Sequence, residues 1–398
     1  MEGKLIQIVG GGQNQAPAVI LAKSLGLKVL VTDMYENPPC KDLADVFVQL
    51  DTTDMEGNLE IATKHKIDAI MTDQTDVAVP TVAYVAESMG IEGIGYESSL
   101  RFTNKYTMRK YLKTLLPNNV PDYYFFDNVK KAIVFFKELK FNGKYIVKPI
   151  NSQGSKGVYV LEASNYKEAI TKAFSESRSN GILIEQFVEG FEYSVEAYVQ
   201  DGKVYNLALT KKYHYLSNDC IDVRNTYLGD VSEELEKKLF TLNEKVIEAL
   251  KLPFGVTHAE YKFDGNNGYV MEIAARGGGG SISSKIVPFL TGFDPNRALF
   301  HRLFKKPFNI EVADYKKKFV VMKFFEFKAG KIKKLHIDKT VIDDLLVFQL
   351  DIKVGSTIKE VYDSRDRPGY FVVAGVDRDM VLKKEKEVEN AIKIEYEN

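Results

Sequence analysis

Over the first hundred residues the apolar positions keep changing period. LIQIV (5–9) is a short continuous apolar run that ends in glycines, NQAPAVILAKSLG has helical spacing and stops at Gly26, and KVLVT (28–32) is a second apolar run. DVFVQL, a helix near 54–65, IDAIMT and a helix from about 76 to 89 follow. Strand and helix in alternation predict a parallel sheet with covering helices. Such sheets bind ligands at the C-terminal ends of their strands, where GGGQNQ, Asp33 and TDQTD fall.

From about residue 104 the pattern is different. A helix NKYTMRKYLKTLL runs to Pro117, and a second near 128–139 leads into the strand KYIVKPI. The glycine-bearing turn NSQGSKG and the strand VYVLE complete a hairpin, before another helix to about 178. After GILIEQFVEG come long strands, EYSVEAYVQ and KVYNLALTK, joined by the turn DGK. A less regular stretch (212–231) precedes the helix EELEKKLFTLNEKVIEALK. The last hundred residues hold strands such as KFVVMKFFEFK and close with a helix near 377–393.

A chain of 398 residues predicts two or three domains. With 54 basic and 55 acidic residues there is no global field to hold a polyanion or an anionic membrane, so nucleic acid and membrane are not expected partners. Cys40 and Cys220 have neither metal nor redox spacing, and no apolar run has the length of a leader or a membrane span, so a reducing cytoplasm is expected.

GVTHAEYKFDGNNGYVMEIAARG reads as a hairpin with DGNNG as its turn. With a three-residue loop, Gly265 to Asn267, Glu260 faces Glu272; a two- or four-residue loop shifts the register by one. Directly opposed side chains have Cβ atoms about 5 Å apart. Two carboxylates at that separation repel by about 3 kcal/mol at an effective dielectric of 20. Protonation, a neighbouring cation or a divalent ion offsets this, and Mg2+ usually takes one or two carboxylates and fills its shell with phosphate oxygens. Arg276 shares the strand face of Glu272 and is placed for a second anion. The plain alternative is a solvated hairpin face with two surface glutamates.

Lys148 ends an apolar strand beside small residues, where a lysine can meet phosphate oxygens, and Ser152, Gly154, Ser155 and Gly157 leave backbone N–H groups open to approach. The P-loop pattern is absent, so a hairpin flap over phosphates or an ordinary flexible hairpin are the two readings. Glu185 and Glu192 flank Phe187 and Val188, a pattern with apolar groups and backbone for an adenine and a carboxylate for ribose hydroxyls.

Lys105 in NKYTMRKYL, Lys148 in VKPINSQGSKGV, EQFVEGFE (185–192), and Glu260 with Glu272 in HAEYKF and MEIAAR together resemble the ATP-grasp superfamily, in order and over nearly the whole chain. The arginine-then-glycine pattern of ARGGGGS looks more like the carbamoyl-phosphate-synthase-like and L-amino-acid ligase type than the purine-pathway members, which carry proline and histidine there. The resemblance implies an α/β and α+β multidomain chain. An N-terminal Rossmann-like parallel sheet (1–103) would precede an ATP-grasp small subdomain with the glycine-rich flap (104–190). A large subdomain with the metal site (191–310) and a C-terminal α+β, β-rich portion packing on the ATP-grasp core (311–398) would follow.

By resemblance, ATP and Mg2+, with Mn2+ as the alternative ion, are the cofactors. Lys105 and Lys148 would bind phosphates with the flap residues Ser155 and Gly157, Glu185 the adenine amino group, the backbone of Phe187 and Val188 the adenine edge, and Glu192 the ribose. Glu260 and Glu272 would hold the metal, and Arg276 with Lys148 would serve the reaction. Many members continue Glu-x-Asn where this chain has Ala274, so one protein oxygen is missing. The implied reaction joins a small-molecule carboxylate and an amine through an acyl phosphate, and a homodimer is the family's usual tendency. His214 is a candidate base in the irregular segment, while His258 shares the face of Glu260 and could line the site. Lys211, Lys212 and Arg224 add candidate positive charge to a substrate pocket. The rivals are a purine-pathway-like enzyme phosphorylating formate or bicarbonate, a silent ATP-binding module, and a dehydrogenase suggested by GGG and Asp33, although Gln15 stands where that fingerprint needs glycine.

Overall fold

The computed structural model describes residues 1–139, 143–179, 181–216 and 218–397, without the side chains of 218 and 219. The N-terminal strands Leu5–Val9, Lys28–Asp33, Val46–Gln49 and Ala69–Met71 form the expected parallel sheet, with Leu5–Val9 central between Lys28–Asp33 and Ala69–Met71. Its continuous apolar runs are explained by helices on both faces, which leave Ile6, Ile8 and Val9 fully buried. Phe254, Phe300 and Leu303 from far along the chain complete one of its cores, so this sheet shares a hydrophobic surface with later segments.

A second, antiparallel sheet orders the strands Tyr123–Phe126, Ile182–Gln186, Tyr145–Pro149 and Tyr159–Leu161. The helix Lys105–Leu115 that leads to it is capped by Asn104, whose side chain accepts from the Thr107 amide at 3.0 Å. The helix Glu233–Leu250 starts at a Ser232 cap with three glutamates in its first turn, which favour the positive end of the helix dipole. It buries Leu239, Leu242 and Val246 against Val195, Ala259, Tyr261 and Ile273 of the largest sheet.

That largest sheet has eight strands, in the order Gly268–Ala274, Gly255–Phe263, Phe191–Gln200, Lys203–Tyr215, Asn218–Tyr227, Phe319–Phe324, Gly369–Gly375 and Val347–Leu350. The expectation of an irregular stretch at 212–231 is overturned here. The strand after the DGK turn continues to Tyr215, and Asn218–Tyr227 is a further strand paired on both sides. Ser217 lies outside the described residues. The alternation was hidden because both faces are enclosed near its end, with Asn225 and Thr226 buried alongside Ile221 and Val223. This strand carries the C-terminal strands into the same sheet as the hairpin of Gly255–Phe263 and Gly268–Ala274. A last strand missed in the sequence, Ile392–Tyr396, pairs with Gly330–Ile337.

Gly190 joins Ile182–Gln186 to Phe191–Gln200 at φ +108°, and a Cβ there would lie 2.1 Å from the Phe263 carbonyl oxygen. Gly190→Ala is expected to lower unfolding free energy by about 1–3 kcal/mol from the backbone conformation alone, with more from the clash. Urea denaturation measures it, and an unchanged midpoint contradicts the account.

Candidate functional site

The hairpin of Gly255–Phe263 and Gly268–Ala274 has a four-residue loop, not the three-residue loop expected, because Phe263 pairs with Gly268. The Asp264 carboxylate fixes this turn by accepting from the Asn266 and Asn267 amides, each at 2.8 Å. The longer loop shifts Tyr261 opposite Val270, but a β-bulge between Glu260 and Tyr261 shifts the register back. Glu260 therefore stands opposite Glu272, and His258 opposite Ala274.

Both acids line a cavity of about 460 Å³ and are flanked by cations. Lys105 Nζ donates to Glu272 Oε1 at 2.7 Å and to the Ser152 carbonyl at 2.8 Å. Lys212 Nζ bridges Glu260 Oε1 at 2.6 Å and Glu192 Oε1 at 2.9 Å. Burial alone would raise the Glu260 carboxyl, but Lys212 and then His258 hold it well below the usual carboxylate range. Burial likewise opposes charge on His258, yet the Glu196 carboxylate at 2.5 Å and Glu260 at 3.4 Å push its pKa up to about 9. Lys212 was legible in the sequence only as one basic residue among several. Its link between two glutamates depends on three adjacent strands.

A second charged group lies deeper. Glu185 Oε1 accepts from Arg109 Nε at 2.7 Å, and its Oε2 accepts from Arg109 Nη2 at 3.3 Å and meets Lys148 Nζ at 2.5 Å. Burial raises the Glu185 carboxyl, but Arg109 and Lys148 outweigh it and bring its pKa down to about 2. Lys148 is lowered, by burial first and by neighbouring Arg109, against the pull of Glu185. Arg109 also donates to the Met271 carbonyl at 2.8 Å, tying helix Lys105–Leu115 to the strand that carries Glu272. Arg109 is not among the residues expected from sequence; its spacing of four from Lys105 on one helix face is the signal that marks it.

Phe187 and Val188 follow Glu185 along the cavity wall, with Ile146 and Met271 also lining it. The Phe187 amide is already bonded to the Lys144 carbonyl at 2.9 Å, and Lys262 Nζ lies 4.1 Å from the centre of the Phe187 ring. Glu192 lines the same cavity, between Lys212 and His214 Nε2 at 3.2 Å. His214 thus sits on a strand and not in a loop, as its sequence setting suggested.

The flap turn touches three other regions. Ser155 Oγ donates to the Cys220 carbonyl at 2.7 Å, the Ser364 amide donates to the Gly154 carbonyl at 3.2 Å, and the Asp76 amide donates to Gln153 Oε1 at 3.1 Å. Ser155 lines the cavity, whereas Gly157, at φ +75°, is seated where a Cβ would meet Pro149 at 2.8 Å and Glu176 at 3.0 Å.

Arg276 reaches the cavity wall, but its Nε and Nη2 grip Asp76 at 2.9 and 2.7 Å and its Nη1 donates to the Gly277 carbonyl. Of the other bases, Arg224 pairs with Glu385 at 2.6 and 2.9 Å and Lys211 lies 4.0 Å from the Phe191 ring centre, so neither faces the cavity as expected. Arg367 does line the cavity; it pairs with Asp222 at 2.9 Å and stacks 3.5 Å from the Phe324 ring centre. Asp222 also accepts from Asn225 Nδ2 at 2.7 Å. Asp222 and Asn225 lie on the strand Asn218–Tyr227, whereas Arg367 lies just before the strand Gly369–Gly375.

Among the described residues no group of three or more His, Cys, Asp or Glu side chains forms a metal cluster, and no helix is long and apolar enough to cross a membrane. The dehydrogenase reading fails locally, since Asp33 accepts from the Gly11 and Tyr35 amides at 2.7 and 2.9 Å and Gly11 is packed against Val31 and Pro38.

Residues 141–285 match the family model described as ATP-grasp domain. The chain is similar to the phosphoribosylamine–glycine ligase of Pyrococcus horikoshii, 25% identical over 303 residues, covering 69% of this chain and 66% of that protein. It is also similar to an L-arginine-specific L-amino acid ligase of Bacillus subtilis, 25% identical over 275 residues, covering 66% of this chain and 65% of that protein. The matched part thus spans slightly less than two thirds of those relatives' length. Among solved structures, an L-amino acid ligase from Bacillus licheniformis superposes with a TM-score of 0.82 at 20% identity over 100% of both chains. A phosphoribosylglycinamide synthetase from Anaerococcus prevotii gives 0.75 at 19%, also over 100% of both.

Arg109→Gln is expected to cost about 3–5 kcal/mol at pH 7, because it leaves a buried carboxylate short of its cation. The folded pKa of Glu185, about 2, is below its usual 4.5, so its contribution is complete above 4.5 and is lost as pH falls towards 2. The deficit of the variant should therefore narrow over that window in urea denaturation, and a deficit independent of pH contradicts the assignment.

Proposed function

We propose, from the match of residues 141–285 to the ATP-grasp domain model, that the chain is an ATP-dependent carboxylate–amine ligase acting on an amino acid or another small carboxylate. The observation that carries the reading is the pairing of Glu260 with Glu272 in one cavity with Lys105, Lys148 and the Glu185–Val188 segment.

Glu260 and Glu272 fit a magnesium–nucleotide. Their side chains are 26% and 30% exposed into the cavity, their donors are all oxygen, and Mg2+ usually needs only one or two carboxylates beside phosphates. The ion would supply charge neutralisation at the transferring phosphoryl group. Lys105 exchanges Glu272 for a phosphate oxygen as nucleotide enters, so its charge is neutralised before and after. Lys148 meets phosphate from its seat beside Glu185, while Ser155 and the neighbouring turn cover the phosphates. Glu185 takes the adenine amino group, the backbone at Phe187 and Val188 the adenine edge, and Glu192 the ribose.

The substrate carboxylate attacks the γ-phosphate, and an amine then displaces phosphate from the acyl phosphate, giving an amide, ADP and phosphate. Arg276 has five N–H groups, so those left by Asp76 and Gly277 can hold the reacting carboxylate. The flap contacts to Asp76, Cys220 and Ser364 exclude water, which would hydrolyse the acyl phosphate. The similarity to an L-amino acid ligase and the glycines after Arg276 favour amide formation over activation of formate or bicarbonate.

ADP release over a panel of amino acids tests the reading: stimulation by a carboxylate together with an amine supports it, and tight ATP binding without turnover under every pairing contradicts it. In a responsive pairing, Glu272→Gln should lower kcat by roughly 10²-fold or more with the fold retained, and wild-type turnover would remove the metal role.

A further inference from the structure

Glu192 has a lysine directly opposite on each neighbouring strand, Lys212 on one side and Lys262 on the other. It pairs with only one of them. Its Oε1 accepts from Lys212 Nζ at 2.9 Å, and its Oε2 lies 3.2 Å from His214 Nε2. Lys262 turns instead to the Phe187 ring, with Nζ 4.1 Å from its centre, and meets no carboxylate among the described residues. Lys262 is only 8% exposed, and both it and Glu192 line the cavity. Lys105, Lys148 and Lys212, the other buried lysines of this wall, each have a glutamate within hydrogen-bond distance. A buried cation without an acid is costly, and an aromatic face meets only part of an ammonium that has three donors. The partner that Lys262 lacks in the protein must come from the occupant of the cavity.

We propose that Lys262 and Glu192 form a clamp for the vicinal hydroxyls of the nucleotide sugar, Lys262 donating to hydroxyl oxygens while Glu192 accepts hydroxyl hydrogens. This rests on the reading of the cavity as a nucleotide site and adds Lys262 to it. The chemistry of the pair selects the ligand group. An ammonium can only donate and an ionised carboxylate can only accept, so a group that meets both must do both. A hydroxyl does, and two adjacent hydroxyls do so twice. A phosphate would suit Lys262 but stand against Glu192, and a ligand ammonium would suit Glu192 but stand against Lys262. Position agrees with chemistry. Lys262 has Phe187 on one side and follows Glu260 by two on a strand face that lines the cavity. Base, sugar and metal-held phosphates would then succeed one another along the wall in the order in which a nucleotide presents them.

Titration calorimetry of the full chain with Mg2+ and ADP, 2′-deoxy-ADP or 3′-deoxy-ADP tests the clamp, in the wild type and in Lys262→Met, which keeps an apolar stem. The wild type should bind at least one deoxy nucleotide roughly 10-fold or more less tightly than ADP. Lys262→Met should bind ADP roughly 10–100-fold less tightly, the loss expected of a hydrogen bond to a charged group. It should also distinguish ADP from that deoxy nucleotide by no more than about 3-fold, since coupled groups lose their effects together. Its melting temperature without ligand should not fall, because an unpaired buried charge has been removed. Equal wild-type affinities for all three nucleotides overturn the proposal whatever the variant does. So does a variant that binds ADP as the wild type does, or one that keeps the full deoxy penalty; these results leave the ligase reading standing. Absence of ADP binding by the wild type overturns both. Lys262→Leu supplies the same comparison if Lys262→Met does not fold.

Discussion

Two like charges held face to face on one β-ribbon set the terms for the rest of this molecule. Glu260 and Glu272 occupy opposed positions in the hairpin, and their repulsion is met by neighbouring cations. Lys105 arrives from a helix and Lys212 from a strand two places across the sheet, while His258 comes from the ribbon itself. The two lysine contacts tie distant segments to the hairpin. The cavity is therefore built around paired charges, each carboxylate meeting a cation.

The deeper group extends the same logic. Arg109, Glu185 and Lys148 are almost fully buried, which is tolerable only because each charge has a partner at hydrogen-bond distance. Since Arg109 also holds the Met271 carbonyl next to Glu272, Glu185 and the strand that carries Glu272 share one fixed frame. The flap closes this frame from above, through contacts with the N-terminal, central and C-terminal parts of the chain. That arrangement suits a reaction whose intermediate must be kept from water.

Much of the architecture was readable from periodicity. The parallel N-terminal sheet and the hairpins followed from runs of two-sided apolar strands and from glycine turns, because those signals are local. The opposition of Glu260 and Glu272 was anticipated with the wrong loop: an error of one residue at the turn is cancelled by a bulge that no local signal announces. The strand Asn218–Tyr227 is hard to read because Asp222 and Asn225, three residues apart, both line the cavity across a register shift, which breaks the period of two. Arg224 and Arg367 show the other limit. Both are arginines in polar surroundings, and only the tertiary pairing sends one to Glu385 and the other to the cavity.

The most direct test of the central claim is a crystal structure with ADP and Mn2+, located by its anomalous scattering. The ion is expected between the carboxylates of Glu260 and Glu272, with Lys105 moved from Glu272 onto a phosphate oxygen. An ion bound elsewhere, with Lys105 still on Glu272 and Lys212 still on Glu260, would contradict it.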